Sequence, residues 1–370
     1  MNIKSLLLGS AAAAVAFSGA QAADAIVIAE PEPMEYVRIC DAYGTGFFYI
    51  PGTETCLRIS GWVRYEINEA EDQGAWDKRS RVQVNLDARS ETEWGMLRGW
   101  INLETSANRG NSFGTELERK TSGYNPNNTT DFDIHVNRAI IQLGGLWMGY
   151  ADSLYTSSSN QLGSGLGNTA GYTFADTFFY HYRQTQQIGY QFTSPNGFYA
   201  AVAVENDSDD YDAITDTRGD DNHMPDITGK VAYSTGWGGV WGVVGYDESA
   251  DAVAVRAGVE GRFGQFTARL DGHYQSDVGS VYGTGSEWAV QVTGLYQINP
   301  QLGLAGGVTY RGDLDDGGVD FTDADAWQGQ IGVNWEPVQN FRVGADVLYT
   351  DSDLEDDGSW SGRLRFQRSF

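Results

Sequence analysis

From Leu57 to the C-terminal Phe370 the chain repeats one unit, a stretch of about ten residues of alternating polarity followed by a break. Arg81–Arg89, RVQVNLDAR, shows the unit clearly. Val82, Val84, Leu86 and Ala88 fall on one side, and Arg81, Gln83, Asn85, Asp87 and Arg89 on the other. Successive side chains of a β-strand point to opposite faces, so this period of two specifies a strand with one apolar and one hydrophilic surface. Sixteen such stretches run from Ile59–Asn68 to Gly362–Phe370. The breaks between them alternate in length. Short ones such as Glu93-Trp94-Gly95, Gly144-Gly145 and Asn299-Pro300-Gln301 carry the Gly, Pro and Asn of tight turns. Most of the others are long and polar: Asn108–Phe132, Ser153–Gln186, Asn206–Asp226, Ser276–Glu287, Gly312–Asp325 and Thr350–Ser359 among them. An even number of strands with short turns at one rim and long loops at the other predicts a closed up-and-down barrel.

A soluble sandwich also has one apolar face per strand, so alternation alone does not place the barrel in a membrane. Aromatic spacing does. Phe266 and Tyr274, Trp288 and Tyr296, Trp327 and Trp335, and Phe341 and Tyr349 bracket the apolar faces of four strands, each pair eight residues apart. That is about 27 Å along a strand, or about 20 Å across a membrane after a tilt of about 40°. Rings at both ends of one face match the two aromatic girdles of an apolar band roughly 25 Å tall. The N-terminus agrees with export: Lys4, an apolar run from Leu6 to Phe17, and the Ala20-Gln21-Ala22 cleavage pattern. Beyond it no run of 18 apolar residues offers a transmembrane helix. The expected division is 1–22 signal peptide, 23–56 N-terminal periplasmic segment and 57–370 transmembrane barrel.

The hydrophilic face carries Arg64, Arg81, Arg98, Arg138, Arg256, Arg269, Arg311 and Arg342, with Gln, Asn and Thr between them. Arginines along one wall suit a water-filled lumen, and these eight are the candidate pore-lining residues. Asp152 and Asp176 are the acids that would face them from the longest break. Phe370 ends the last strand with an aromatic ring on the lipid side, a candidate assembly determinant. Cys40 and Cys56 lie in an oxidising compartment. A disulfide is expected there, with two free thiols as the alternative.

Catalysis and metal binding fit poorly. His135, His181, His223 and His273 are scattered, and Ala151-Asp152-Ser153-Leu154 is only a faint likeness of a hydrolase nucleophile block. The acidic stretches at Asp313, Asp315 and Asp316 and at Asp351-Ser352-Asp353 lack the spacing of an EF-hand. No cofactor, metal or nucleic-acid partner is expected. The chain has a net charge of −26, and twenty of its fifty acidic residues lie in Glu205–Asp226, Gly312–Asp325 and Thr350–Ser359. This acidic outer mouth predicts weak cation preference at low salt, opposed by the arginine wall.

The block Arg38–Gly61, RICDAYGTGFFYIPGTETCLRISG, resembles the alphaproteobacterial porins of the Brucella and Rhizobium type. The leader MNIKSLLLGSAAA, both cysteines and the ending GRLRFQRSF share in the resemblance. It implies an all-β, sixteen-stranded antiparallel outer-membrane barrel that forms homotrimers amid lipid and lipopolysaccharide. It also implies passive diffusion of small hydrophilic solutes and ions, with an inward-folded third loop, here Ser153–Gln186, narrowing the channel.

Overall fold

A computed structural model describes residues 38–70, 77–109, 132–156, 183–206, 224–315 and 320–370. A two-residue strand, β1 (Phe48–Tyr49), precedes the long ones. These are β2 (Cys56–Ala70), β3 (Asp77–Thr92), β4 (Gly95–Arg109), β5 (Phe132–Leu143) and β6 (Leu146–Asp152). Then come β7 (Gln184–Thr193), β8 (Phe198–Glu205), β9 (Asp226–Thr235), β10 (Gly238–Asp247), β11 (Ala252–Phe263) and β12 (Phe266–Gln275). The last are β13 (Ser286–Asn299), β14 (Leu302–Leu314), β15 (Ala326–Val338), β16 (Phe341–Ser352) and β17 (Ser359–Ser369). From β2 on, each pairs antiparallel with the next, and β17 pairs back onto β2 from Ser361↔Ala70 to Ser369↔Trp62. Sixteen strands thus close a ring with no free edge, the only way a sheet satisfies its backbone in lipid. Phe370 completes the seam: its N–H donates to Gly61 O at 3.0 Å, and Gly61 N–H donates to Phe370 O at 2.9 Å. A β-carbon at position 61 would lie 3.0 Å from the Phe370 ring and collide with the Gln83 carbonyl, so glycine keeps the seam closed.

Burial is inverted relative to a soluble domain. Large apolar residues that alternate outward, such as Val231, Val244, Val255, Val292 and Ile331, are exposed, whereas inward Thr228, Asp271, Gln291 and Thr309 are buried. The aromatic residues group at the rims. At the long-loop end Tyr274 pairs with Trp288, Tyr310 with Trp327 and Tyr349 with Trp360. Ring centroids there stand 5.4 Å apart for Trp288–Tyr310, 5.2 Å for Trp327–Tyr349 and 4.8 Å for Tyr349–Trp360. Phe266 pairs with Tyr296 at the other end. Indole and phenol tips reach polar partners, as where Trp288 Nε1 donates to Asp313 at 2.9 Å.

The strands extend past the alternating stretches at several ends. The largest extension is in β5, where Ala139–Leu143 is the clean stretch but pairing begins at Phe132. Asn102 opposes Arg138 and Leu103 opposes Val136, so Asn137 is an inserted bulge residue that breaks the period of two. Pro337 occupies a second irregularity, between Trp335 and Val338, where no ladder N–H is needed. The third long connection shortens to 153–183, because Gln184–Gln186 belong to β7.

Cys40 and Cys56 are bonded, with Cα atoms 5.9 Å apart. β1 pairs with the start of β2 (Phe48↔Leu57, Tyr49↔Cys56), and Ile39 bridges to Phe48. This small sheet extends the stretch of β2 that precedes the seam with Phe370. Its buried side chains, Cys40, Phe47 and Cys56, lie against Arg58 and Arg89, whose guanidinium carbons sit 4.8 and 5.1 Å from the Phe47 ring centroid. Tyr43 donates to Glu91 at 3.0 Å, and burial, together with this bond, pushes its hydroxyl pKa up.

Candidate functional site

The inward face is a charged wall, and register places all eight sequence-identified arginines on it. It is not a wall of arginine alone. Arg81 bonds Glu104, and Arg98 grips Asp87 with Nε and Nη2 at 2.9 and 3.0 Å. Asp87 also accepts from Arg89 at 2.7 Å. Arg138 holds Asp152 through two bonds of 3.0 and 2.8 Å. Arg256 lies 3.6 Å from Asp271, and Arg269 stands 3.8 Å from Glu260. Arg64 donates to Gln367 at 2.9 Å and stacks 4.0 Å from the Trp62 ring centroid; Arg342 donates to Asn334 at 2.9 Å. Arg311 donates to the carbonyls of Thr284 and Gly285 at 2.5 and 2.8 Å. The acids were legible in the alternation, since Asp87 and Asp271 each stand two residues from an arginine of the same strand face.

Exposure divides this wall. Arg64, Arg81, Arg363 and Arg365 are half-buried and Arg342 is exposed, so the face of β16, β17, β2 and β3 meets the open lumen. Over β8–β12 the inward residues are covered: Arg256 is 2% exposed, and Lys230, Trp241 and Asp271 are buried too.

The third long connection leaves β6 toward the interior. Ser153, Leu154, Tyr155 and Thr156 are all buried, and Tyr155 packs with Tyr199, Trp241, Val243, Ala254 and Tyr282. Burial alone holds the Tyr155 hydroxyl protonated well above the ordinary tyrosine range. Asp152 and Gln184 tie the two ends of the connection together through a 3.2 Å hydrogen bond. At the same ends Ser153 N–H donates to Arg183 O at 2.9 Å, and Arg183 pairs with Asp226 at 2.9 Å. Asp176 and residues 157–182 lie outside the described residues, as do 1–37, which include the expected signal peptide and residues 23–37 of the expected N-terminal segment. Ser153, the serine of the hydrolase-like block, donates its hydroxyl to Glu205 at 2.9 Å.

Two residues central to this arrangement do not stand out in the sequence. Glu205 reads as the end of the strand Phe198–Glu205, its charge counted with the acidic outer mouth, and Tyr282 as part of the polar connection Ser276–Glu287. Both are buried on the inner wall.

Residues 24–365 match the Porin subfamily. The chain is 38% identical to porin Omp2b of Brucella suis and to porin Omp2b of Brucella melitensis, each alignment covering all of both chains. Among solved structures it is similar to the outer-membrane channel DcaP of Acinetobacter baumannii, with a TM-score of 0.62 at 16% identity, covering 87% of this chain and 99% of the other. It is also similar to in-vitro folded OmpT of Vibrio cholerae in its trimer form, with a TM-score of 0.53 at 14% identity over 86% of this chain and all of the other. Inverted burial, a closed sixteen-strand ring, a charged inner wall and full-length likeness to porins converge: the chain belongs to the Porin subfamily and is an outer-membrane porin, a channel for passive diffusion.

Proposed function

We propose that this porin sorts solutes at a constriction built by the third long loop against the arginine wall, and that it does so without catalysis. The observation that carries this reading is the burial of Leu154 and Tyr155 on the inner wall directly after β6. A rim loop would leave the strand into solvent; this one starts across the lumen. Its aromatic middle, Tyr172 to Tyr182, then needs an apolar partner, and the interior offers one. Asp176 would face the wall from there. We assign the solvent-lining role to Arg64, Arg81 and Arg342, whereas Arg311, which donates to the Thr284 and Gly285 carbonyls, would hold that connection to the wall. Arg98, Arg138, Arg256 and Arg269, being paired with acids at low exposure, would chiefly hold the wall in shape. The assembly we assign is a homotrimer, by analogy with the trimer form of Vibrio cholerae OmpT. Lipid and lipopolysaccharide would surround it in the outer membrane, with the acidic loops solvated. Residues 1–22 would be removed as a signal peptide, and 23–56 would stand on the periplasmic side.

Deleting residues 160–176 tests the constriction. Planar-bilayer recordings of the folded deletion should show larger single-channel steps than the parent chain. Steps of unchanged size would place the loop outside the conducting path.

A further inference from the structure

Glu205 ends β8 on the inward face and is 1% exposed. A carboxylate stripped of water persists there only if its lone pairs meet donors. Four do, from three separate segments. Oε1 accepts from Ser153 Oγ at 2.9 Å, Leu154 N at 3.0 Å and Thr228 Oγ1 at 2.8 Å. Oε2 accepts from the Tyr282 hydroxyl at 3.1 Å. Ser153 and Leu154 start the third long connection, Thr228 belongs to β9, and Tyr282 lies in the connection between β12 and β13. That connection, residues 276–285, is itself folded onto the wall. Val281 N donates to Asp247 at 2.6 Å, and Arg311 holds the carbonyls of Thr284 and Gly285. Gly245 supplies the seat for Tyr282, since a β-carbon there would lie 2.7 Å from the ring. The Tyr282 ring packs 5.1 Å from Tyr155. Burial, together with the Glu205 charge, keeps its hydroxyl protonated far above the ordinary tyrosine range.

We propose that Glu205 is a positioning residue that clasps the third connection and the 276–285 connection into one unit, so that the latter also sets the width and steadiness of the pore. This rests on the pore reading above. An acidic residue serving only as rim charge would be solvated, and a tyrosine serving only as filler would not aim its hydroxyl at a buried carboxylate. Removing the Tyr282 donor leaves Oε2 without this bond in a dry site and loosens the first turn of the third connection, which shares the same carboxylate.

The test is single-channel recording of the full-length protein carrying Tyr282→Phe, with Glu205→Gln as a second variant and Thr309→Val as a control. Thr309 accepts a buried wall hydrogen bond from Gln291 at 2.9 Å, on β14, and belongs to neither connection. In Tyr282→Phe the fraction of time spent in partial closures should rise about tenfold, the scale of one lost hydrogen bond to a charged group, while heat-modifiable folded protein is retained. Glu205→Gln, where it folds, should show the same rise, and Thr309→Val should stay near the parent. Unchanged gating in folded Tyr282→Phe overturns the clasp, as does equal flicker in Thr309→Val, which would show that the loss of any buried wall hydrogen bond suffices. If Glu205→Gln does not fold, Tyr282→Phe decides alone. Absence of stepwise current in the parent chain would instead defeat the pore reading itself.

Discussion

The wall over β8–β12 and the wall over β16, β17, β2 and β3 use the same residue types to opposite ends. Each carries arginines and carboxylates on alternate inward positions. On the first, aromatic side chains from two connections lie over the charges, and Arg256 and Asp271 are removed from water. On the second, Arg64, Arg81 and Arg342 remain in contact with the lumen. The difference shows that an inward arginine is not by itself a pore-lining arginine. What decides its role is whether a loop is folded over it. One wall is a foundation; the other is a conducting surface.

The largest expected difference between the walls is in stability. Arg256→Ala leaves Asp271 buried beside a lost guanidinium, and breaking such a pair costs about 3–5 kcal/mol. Arg64→Ala removes a side chain that water can replace, and should change stability by under about 1 kcal/mol. Thermal unfolding followed by gel mobility would measure both. Equal losses would erase the distinction between the walls.

A smaller effect is expected at the seam, which lies in the open wall. Deleting Phe370 removes two backbone hydrogen bonds to Gly61, each contributing about 0.5–1.5 kcal/mol, together with a ring at the short-turn rim. The amount of folded, heat-modifiable barrel in the outer membrane should fall, while the conductance of the channels that do assemble stays at the parent value. Normal levels of folded protein would remove Phe370 from the assembly role.

Much of this architecture is legible in the chain. A period of two puts each side chain on a definite face, so strand number, lipid face and the aromatic girdles follow from local pattern. The first half of β5 escapes because Asn137 inserts one residue and shifts the alternation. Glu205 escapes for a different reason. Its partners stand at 153, 154, 228 and 282, and nothing in the sequence near 205 announces them. The connection 276–285 is polar and Gly-rich, which reads as rim loop; only the Val281-Tyr282 pair hints at burial. Local periodicity specifies strands, whereas the covering of one wall depends on contacts between segments far apart in the chain.

The smallest effect, and the one that sharpens the comparison most, concerns ion selectivity. Three loop segments carry the acidic excess of the outer mouth, but two of the acids counted there belong to the covered wall. Glu205 is bonded by four donors, and Asp226 pairs with Arg183 at 2.9 Å. The exposed acids that remain, such as Asp353, Glu355, Asp356 and Asp357, act on ions approaching the mouth. Their reach is about 10 Å at 0.1 M salt and about 3 Å at 1 M. The open wall acts deeper, where Arg58, Arg64, Arg79, Arg81, Arg89, Arg342, Arg363 and Arg365 outnumber Glu66, Asp77, Asp87, Glu91 and Asp346 and screening is weaker. Reversal potentials in asymmetric salt should therefore show weak cation preference at low salt that declines as salt rises. Neutralising Arg64 and Arg81 together to Gln should shift the potential toward cations at both salt levels, whereas Arg256→Gln, if it folds, should leave it unchanged. Anion preference at low salt in the parent chain would mean that the open wall outweighs the mouth. A shift from Arg256→Gln as large as that from the open-wall pair would mean that the covered wall is not sealed from the ions.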